Sequence, residues 1–431
     1  MTRLPIALAA LLAAGCASDP ALQADPPAAP QALPTSPLAV SGEGRSFDAE
    51  RAELDAEVAF HLDRVAAVPD DRGRKELAAA VLLSRARLTG DWDDYALADE
   101  LLSDAFALAE APAGPWGTLA SLQFSLHRFD VLPASIDRIA QIGIPSTTRD
   151  ADVAARRGAL ALNTGRYSEG LTLLEQSLDS QDTIGARATR AIGLSHTGDV
   201  AAAEEQLVLA ANGYHGTRQE PRAWYQLHLG ILDLERGRWD EALAHFEDAD
   251  QELSGYWLVD EHIAEVMTLQ GRTDEAVALY LDVIERTDAP EFMDALAAIE
   301  LERGNTAVAD DWIAASRERW EEKLQRFPEA AWGHALGHYL EFGAPSRALE
   351  IAELNHGLRP DGEAHVLLAE ALLANDRAQD ALPVVEDALA SPYESAGLHA
   401  TAASVYAALG RDDDAATQRA LALSIDPHAL D

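Results

Sequence analysis

Apolar residues recur through most of this chain at intervals of three and four, the spacing of one face of an α-helix. In GILDLERGRWDEALAHFEDA, which starts at Gly230, one apolar stripe runs into a turn at Gly237. A second stripe follows through Ala242, Phe246 and Ala249. GALALNTGRYSEGLTLLEQSL from Gly158 and IAEVMTLQGRTDEAVALYLDVI from Ile263 repeat the arrangement. Each stretch predicts a helix, a glycine turn and a second helix.

The unit has a fixed period. Turn anchors fall at Gly165, Gly198, Gly237, Gly271, Gly304, Gly343, Asp376 and Gly410, at spacings of 33, 39, 34, 33, 39, 33 and 34 residues. Five places after each anchor stands a small residue: Gly170, Ala203, Ala242, Ala276, Ala309, Ala348, Ala381 or Ala415. A small side chain there lets the second helix approach the first closely. Four places further come Leu174, Leu207, Phe246, Tyr280, Ile313, Ala352, Val385 and Arg419, mostly large and apolar as a core stripe requires. Pro360 and Pro427 lie where the second helix should stop.

On these residues the chain resembles the tetratricopeptide repeat, a helical hairpin of 34 residues in the family's usual form. The best-fitting copy carries Leu229, Gly230, Gly237, Trp239, Ala242, Phe246 and Ala249 on the family's preferred sites. Earlier copies depart from the pattern, and His127 stands where a turn glycine belongs. The resemblance implies an all-α, right-handed α-solenoid of stacked hairpins, about ten in all, whose first helices line an inner face. One hairpin cannot bury its apolar side alone, so neighbours must stack. The two 39-residue spacings follow Gly198 and Gly304. They predict lengthened second helices, reaching Tyr214 and Phe327, that project from the solenoid edge.

The chain start is organised differently. Arg3, an apolar stretch from Leu4 to Leu12, and the small residues Ala13, Ala14 and Gly15 precede Cys16, the only cysteine. That order is one of a secretory signal, and small residues directly before a cysteine resemble the bacterial lipoprotein signal. The resemblance implies lipidation of Cys16 after removal of residues 1–15. Residues 16–45 are rich in proline and alanine and predict an unfolded tether. Residues 46–71 predict an N-terminal capping helix with Leu54, Val58, Leu62 and Val65 on one face, and 72–431 the solenoid. Ala17 after the cysteine favours the periplasmic face of an outer membrane.

Charge narrows the partners. Arg and Lys total 33 against 73 Asp and Glu, a formal net charge of −40. Such a surface repels nucleic acid phosphates, and its complement is a protein or a basic peptide. No HExxH, GxSxG or phosphate-cradling glycine loop occurs, and one cysteine allows no CxxC. The sequence therefore predicts no enzyme and no cofactor.

Candidate binding residues come from register. His228, His262 and His334 each lie nine places before their own turn glycine, on equivalent sites of three first helices. In the family that site tends toward the inner groove. Trp224, Glu261, Glu265, Asp294 and Glu370 also fall on first helices. Together they predict an acidic, histidine-bearing groove for a basic peptide, with His228 and His262 the pair best placed for a divalent ion if one bound. His334 and His338 share a helix face near Glu341 and read as packing residues. The composite expectation is a non-catalytic envelope lipoprotein that scaffolds an assembly. Rival readings are a subunit of an exopolysaccharide or pilus secretion machine, a regulator of cell-wall enzymes, or an enzyme whose site escapes recognition.

Overall fold

The computed structural model describes residues 44–142 and 145–430. The leader, Cys16 and nearly all of the proline-rich segment lie outside the described residues. A first helix, α1 (Phe47–Ala67), starts at Ser46, whose hydroxyl accepts the Ala49 amide at 3.2 Å. Ten antiparallel hairpins follow. They are α2 (Arg72–Thr89) with α3 (Trp92–Ala107), α4 (Trp116–Ser125) with α5 (Leu132–Gln141), α6 (Thr147–Leu162) with α7 (Tyr167–Ser180), and α8 (Ile184–His196) with α9 (Val200–Gly213). Next come α10 (Glu220–Leu234) with α11 (Trp239–Glu252), α12 (Trp257–Leu269) with α13 (Thr273–Thr287), and α14 (Pro290–Glu302) with α15 (Thr306–Arg326). The last are α16 (Pro328–Glu341) with α17 (Pro345–Leu358), α18 (Gly362–Ala374) with α19 (Ala378–Ala390), and α20 (Ala396–Ala408) with α21 (Asp412–Ile425). This is an all-α solenoid of tetratricopeptide type.

The repeat signature has a direct structural meaning. Ala203, Ala242, Ala276, Ala309, Ala348, Ala381 and Ala415 are all 0% exposed, so a larger side chain at any of them would push the paired helices apart. Leu174, Leu207, Phe246, Tyr280, Ala352 and Val385 are buried behind them. Ile313 is partly exposed and Arg419 exposed. The irregular anchors also behave as turns. His127 (φ 53°) and Asp376 (φ 58°) adopt the left-handed conformation that Gly165, Gly198, Gly237, Gly271, Gly304 and Gly410 take, whereas the anchor at Gly343 does not turn this way.

The lengthened hairpins do not project, which corrects the expectation from spacing. After Ala203 helix α9 runs only to Gly213, and the extra residues form a loop closed by Tyr214, whose hydroxyl donates to the Arg218 carbonyl at 3.0 Å. Helix α15 does reach Arg326, but its end is buried through Trp320, Leu324 and Phe327. Phe327 packs on Trp92 of α3, ring centroids 5.5 Å apart, and Lys323 lies 4.9 Å over the same indole.

That contact belongs to a larger pattern. The solenoid coils until its first half touches its second. Arg45–Ser46 pairs in parallel with Leu253–Ser254, and Phe47 stacks on Tyr256. The Trp257 indole donates to the Leu88 carbonyl at 2.9 Å, and the Gly362 amide to the Tyr167 hydroxyl at 2.7 Å. The Glu394 amide donates to the His196 carbonyl at 2.9 Å, and Trp239 stacks on His428 at 4.0 Å. Turns of the first half therefore seat against the second. Gly165 (φ 74°) faces the Pro360 carbonyl and Gly237 (φ 66°) faces Asp426 and His428, so both need glycine for conformation and for space. Gly271 (φ 74°) has the same backbone with nothing nearby.

Candidate functional site

The predicted groove residues all lie on first helices, and Trp224, His228, Glu261 and His262 are at most 5% exposed. Trp224 and His228 sit one helical turn apart on α10 and stack, ring centroids 3.7 Å apart. The His228 Nδ1 lies 3.0 Å from the Trp224 carbonyl. Burial pushes His228 down to about 3, which keeps it neutral, and His262 adds to the effect.

His262 belongs to α12, the next first helix. Its ring stacks on Phe246, with Nδ1 at 3.1 Å from Glu265 Oε2 and Nε2 at 3.3 Å from Glu261 Oε1. Burial acts to lower His262, yet the two carboxylates outweigh it and hold the ring above its ordinary value. Glu261 is pushed up by burial, and the charges of Glu265 and Glu291 push the same way. An imidazole between two carboxylates makes this the densest cluster of titratable groups among the predicted residues.

The remaining predicted residues separate. Asp294 accepts from the Trp320 indole at 2.8 Å and sits 2.8 Å from His338 Nδ1, so it serves a packing network. His338 is 1% exposed within that network. His334 points elsewhere and is lowered to about 4 by burial, with Glu291 opposing and Lys323 and Arg359 reinforcing the shift. Glu370, raised by burial, accepts the Thr401 hydroxyl at 2.9 Å. Trp224, His228, Glu261, His262 and Glu265 thus lie on two successive first helices, and Asp294, His334 and Glu370 lie on three other first helices.

Reasoning from register misses the second-half partners. Arg359, almost fully buried, lies 3.4 Å from Asp361, 3.7 Å from Glu363 and 3.4 Å from His127 Nδ1. Tyr167 and Tyr393 stack at 5.9 Å, and both are raised by burial beside Asp361 and Glu363. Glu235 keeps solvent access, yet the surrounding protein raises it to about 7. His127 and Arg359 are 232 positions apart, so no periodicity could have joined them.

Among the described residues, Glu261, His262 and Glu265 are the group whose ligand atoms converge as a metal site would need, all within 4.8 Å. No helix among the described residues is long and apolar enough to cross a membrane.

The fold is that of a helical-repeat solenoid of tetratricopeptide type. No family model matches the chain, and no curated relative matches it. Solved structures similar to it are helical-repeat proteins. Yeast Tom70 aligns over 88% of this chain and 91% of its own, at 13% identity and a TM-score of 0.44. A human IFIT1 dimer with m7Gppp-AAAA covers 91% of this chain and 97% of its own, at 15% identity and TM-score 0.41. The apo quorum sensor NprR from B. thuringiensis covers 72% and 97%, at 13% identity and TM-score 0.42. Likeness at this level describes fold alone.

Proposed function

We propose that this chain is a non-catalytic binding solenoid, held at the cell envelope by lipid on Cys16, that presents its acidic inner face to a basic segment of a partner protein. The observation that supports the reading is that Glu235, Glu261, Glu265, Glu363 and Glu370 all lie on first helices of their hairpins or at the end of one. Net charge of −40 supports a basic partner and opposes a phosphate-bearing one. Anchoring rests on the order Arg3, apolar stretch, small residues, Cys16. Acyl chains supply about 0.8 kcal/mol per buried CH₂, and several on one residue hold a protein durably at a membrane.

The test is site-specific photocrosslinking in intact envelopes. Crosslinkers at Glu265 and Glu370 should trap one polypeptide, and a crosslinker at the outward Leu281, 45% exposed, should not. Equal trapping at all three positions, or trapping only at Leu281, removes the inner-face reading. Cys16→Ser should abolish incorporation of labelled fatty acid and release the chain from membranes. Retention of label removes the anchoring half.

A further inference from the structure

Helix α1 divides its apolar side between two parts of the molecule. Val58 packs with Ala78, Ala79, Leu82 and Leu83 of its sequence neighbour α2. Phe47 and Leu54 belong instead to the core built by α10, α11 and α12, with Leu227, Leu253 and Tyr256. Covering the first hairpin does not require that second set of contacts. Residues at the helix start extend it. Arg45–Ser46 pairs in parallel with Leu253–Ser254, between α11 and α12. Phe47 stacks on Tyr256, ring centroids 5.9 Å apart and planes 14° apart.

Glu50 supplies the polar half of the attachment. It is 2% exposed, and its carboxylate accepts the Gln219 amide and, at 3.4 Å, the Glu220 amide. Those amides open α10, where Gln219 makes no side-chain cap of its own. A carboxylate at a helix start satisfies orphan donors and meets the positive end of the helix dipole. Here the cap arrives from 169 positions away. Beside it Arg218 pairs with Glu57 at 2.9 Å. Gly44 lies so close to the Gln251 carbonyl that an added Cβ would collide with it. The bond from the Trp257 indole to the Leu88 carbonyl extends the same seam to the end of α2.

We propose that residues Gly44–Glu50 are a strap that closes the superhelix at the starts of α10 and α12, and that its release opens this seam while the hairpins stay folded. The strap holds by a two-residue pairing, one aromatic stack and one carboxylate. None of these is a contact between consecutive hairpins, and a solenoid's stability resides in such neighbour interfaces. Contacts outside those interfaces can open locally, well below the cost of global unfolding. The strap seats on the two helices that carry Trp224, His228, Glu261, His262 and Glu265. It therefore gates access to them, and this gating role rests on the proposed function.

The test compares amide exchange, by mass spectrometry, in the full chain and in its Gly44→Ala and Glu50→Gln variants. Gly44 is exposed, so alanine there disturbs the strap and no core. Both variants should speed exchange at least about 10-fold at the start of α10, at 253–257 and at the end of α2, and leave α18 and α20 at native rates. Acceleration confined to α1 overturns the proposal, because α1 is then only a cover for the first hairpin. Equal acceleration in α20 also overturns it, because strap and hairpins then unfold together. Should Glu50→Gln fail to fold by circular dichroism, Gly44→Ala decides. Gating is read by photocrosslinking at Glu265, where trapping should rise several-fold in Gly44→Ala. Faster exchange with unchanged trapping removes the gating role. A native chain and a Gly44→Ala chain that both trap nothing at Glu265 remove the proposed function and the gating with it, and leave the strap, which exchange reads without a partner.

Discussion

A neutral imidazole kept inside a protein is a weakness in acid. His334 ionises near pH 4 in the fold against an ordinary 6.5, because it is buried and faces Lys323 and Arg359. The unfolded chain takes up that proton first, so the native state holds its full advantage above pH 6.5 and loses it as pH falls toward 4. Replacing His334 by Phe should flatten this acid limb by about 2 kcal/mol, read from urea unfolding at about pH 4 and about pH 8. Glu341 runs the other way. Burial beside Asp294 and Glu302 raises it from 4.5 to about 7, so its contribution is full below pH 4.5 and is lost as pH rises through 7. Glu341→Gln should stabilise the chain by about 1–2 kcal/mol at about pH 8 and leave it unchanged at about pH 4. Residue chemistry also limits reagents. Lysine occurs only at Lys75 and Lys323. Lys75 Nζ lies 2.6 Å from Asp104, and Lys323 Nζ 3.6 Å from Glu291 and over two indoles. Amine-directed crosslinkers therefore meet no lysine that is not already engaged.

At the scale of elements, the glycine turns differ in what they face. Gly271, Gly304 and Gly410 turn the chain in open space, and Gly165 and Gly237 turn it against the opposite half of the solenoid. Alanine at Gly271 or Gly237 meets the same left-handed backbone, costing roughly 1–2 kcal/mol. At Gly237 its Cβ also collides with Asp426 and His428. Gly237→Ala should thus destabilise by about 1–3 kcal/mol more than Gly271→Ala, measured by denaturant unfolding under identical conditions. Much of the element pattern is legible in sequence because it is local. The small residue five places past each anchor, the proline after α17 and the left-handed turns at His127 and Asp376 follow from sterics within one hairpin. The fate of the longer spacings is not legible. Extra residues after Ala203 became a loop, and those after Ala309 became helix that docks on Trp92. Spacing alone carries no information on what lies across the superhelix.

Across the whole molecule, contact between halves changes how stability spreads. In an open solenoid each hairpin feels only its neighbours. Here α1 meets residues near Tyr256, α11 meets the C-terminal segment through Trp239 and His428, and the α7 Tyr167 hydroxyl accepts the first amide of α18. Deleting residues 412–431 should therefore raise amide exchange in α11 as well as in α20, by hydrogen exchange with mass spectrometry. Exchange confined to α20 would mean that the two halves are energetically separate. The same closure brings His127 to Arg359. Register correctly placed His228 and His262 on successive first helices, because neighbour relations repeat with the period. It could not pair His127 with Arg359 or Glu235 with Glu363, since those depend on the pitch at which the superhelix returns.

What the sequence determined by itself is the hairpin: which residues form each helix, where it turns, and which small side chains let its two arms meet. These rest on backbone sterics and apolar periodicity, which act over a few dozen residues. Only the tertiary structure decided that the row of hairpins closes on itself, and that His228 Nε2 and Glu261 Oε1 are buried without a hydrogen-bond partner. Those outcomes come from small rotations between neighbours summed over ten units, a quantity that no single repeat encodes.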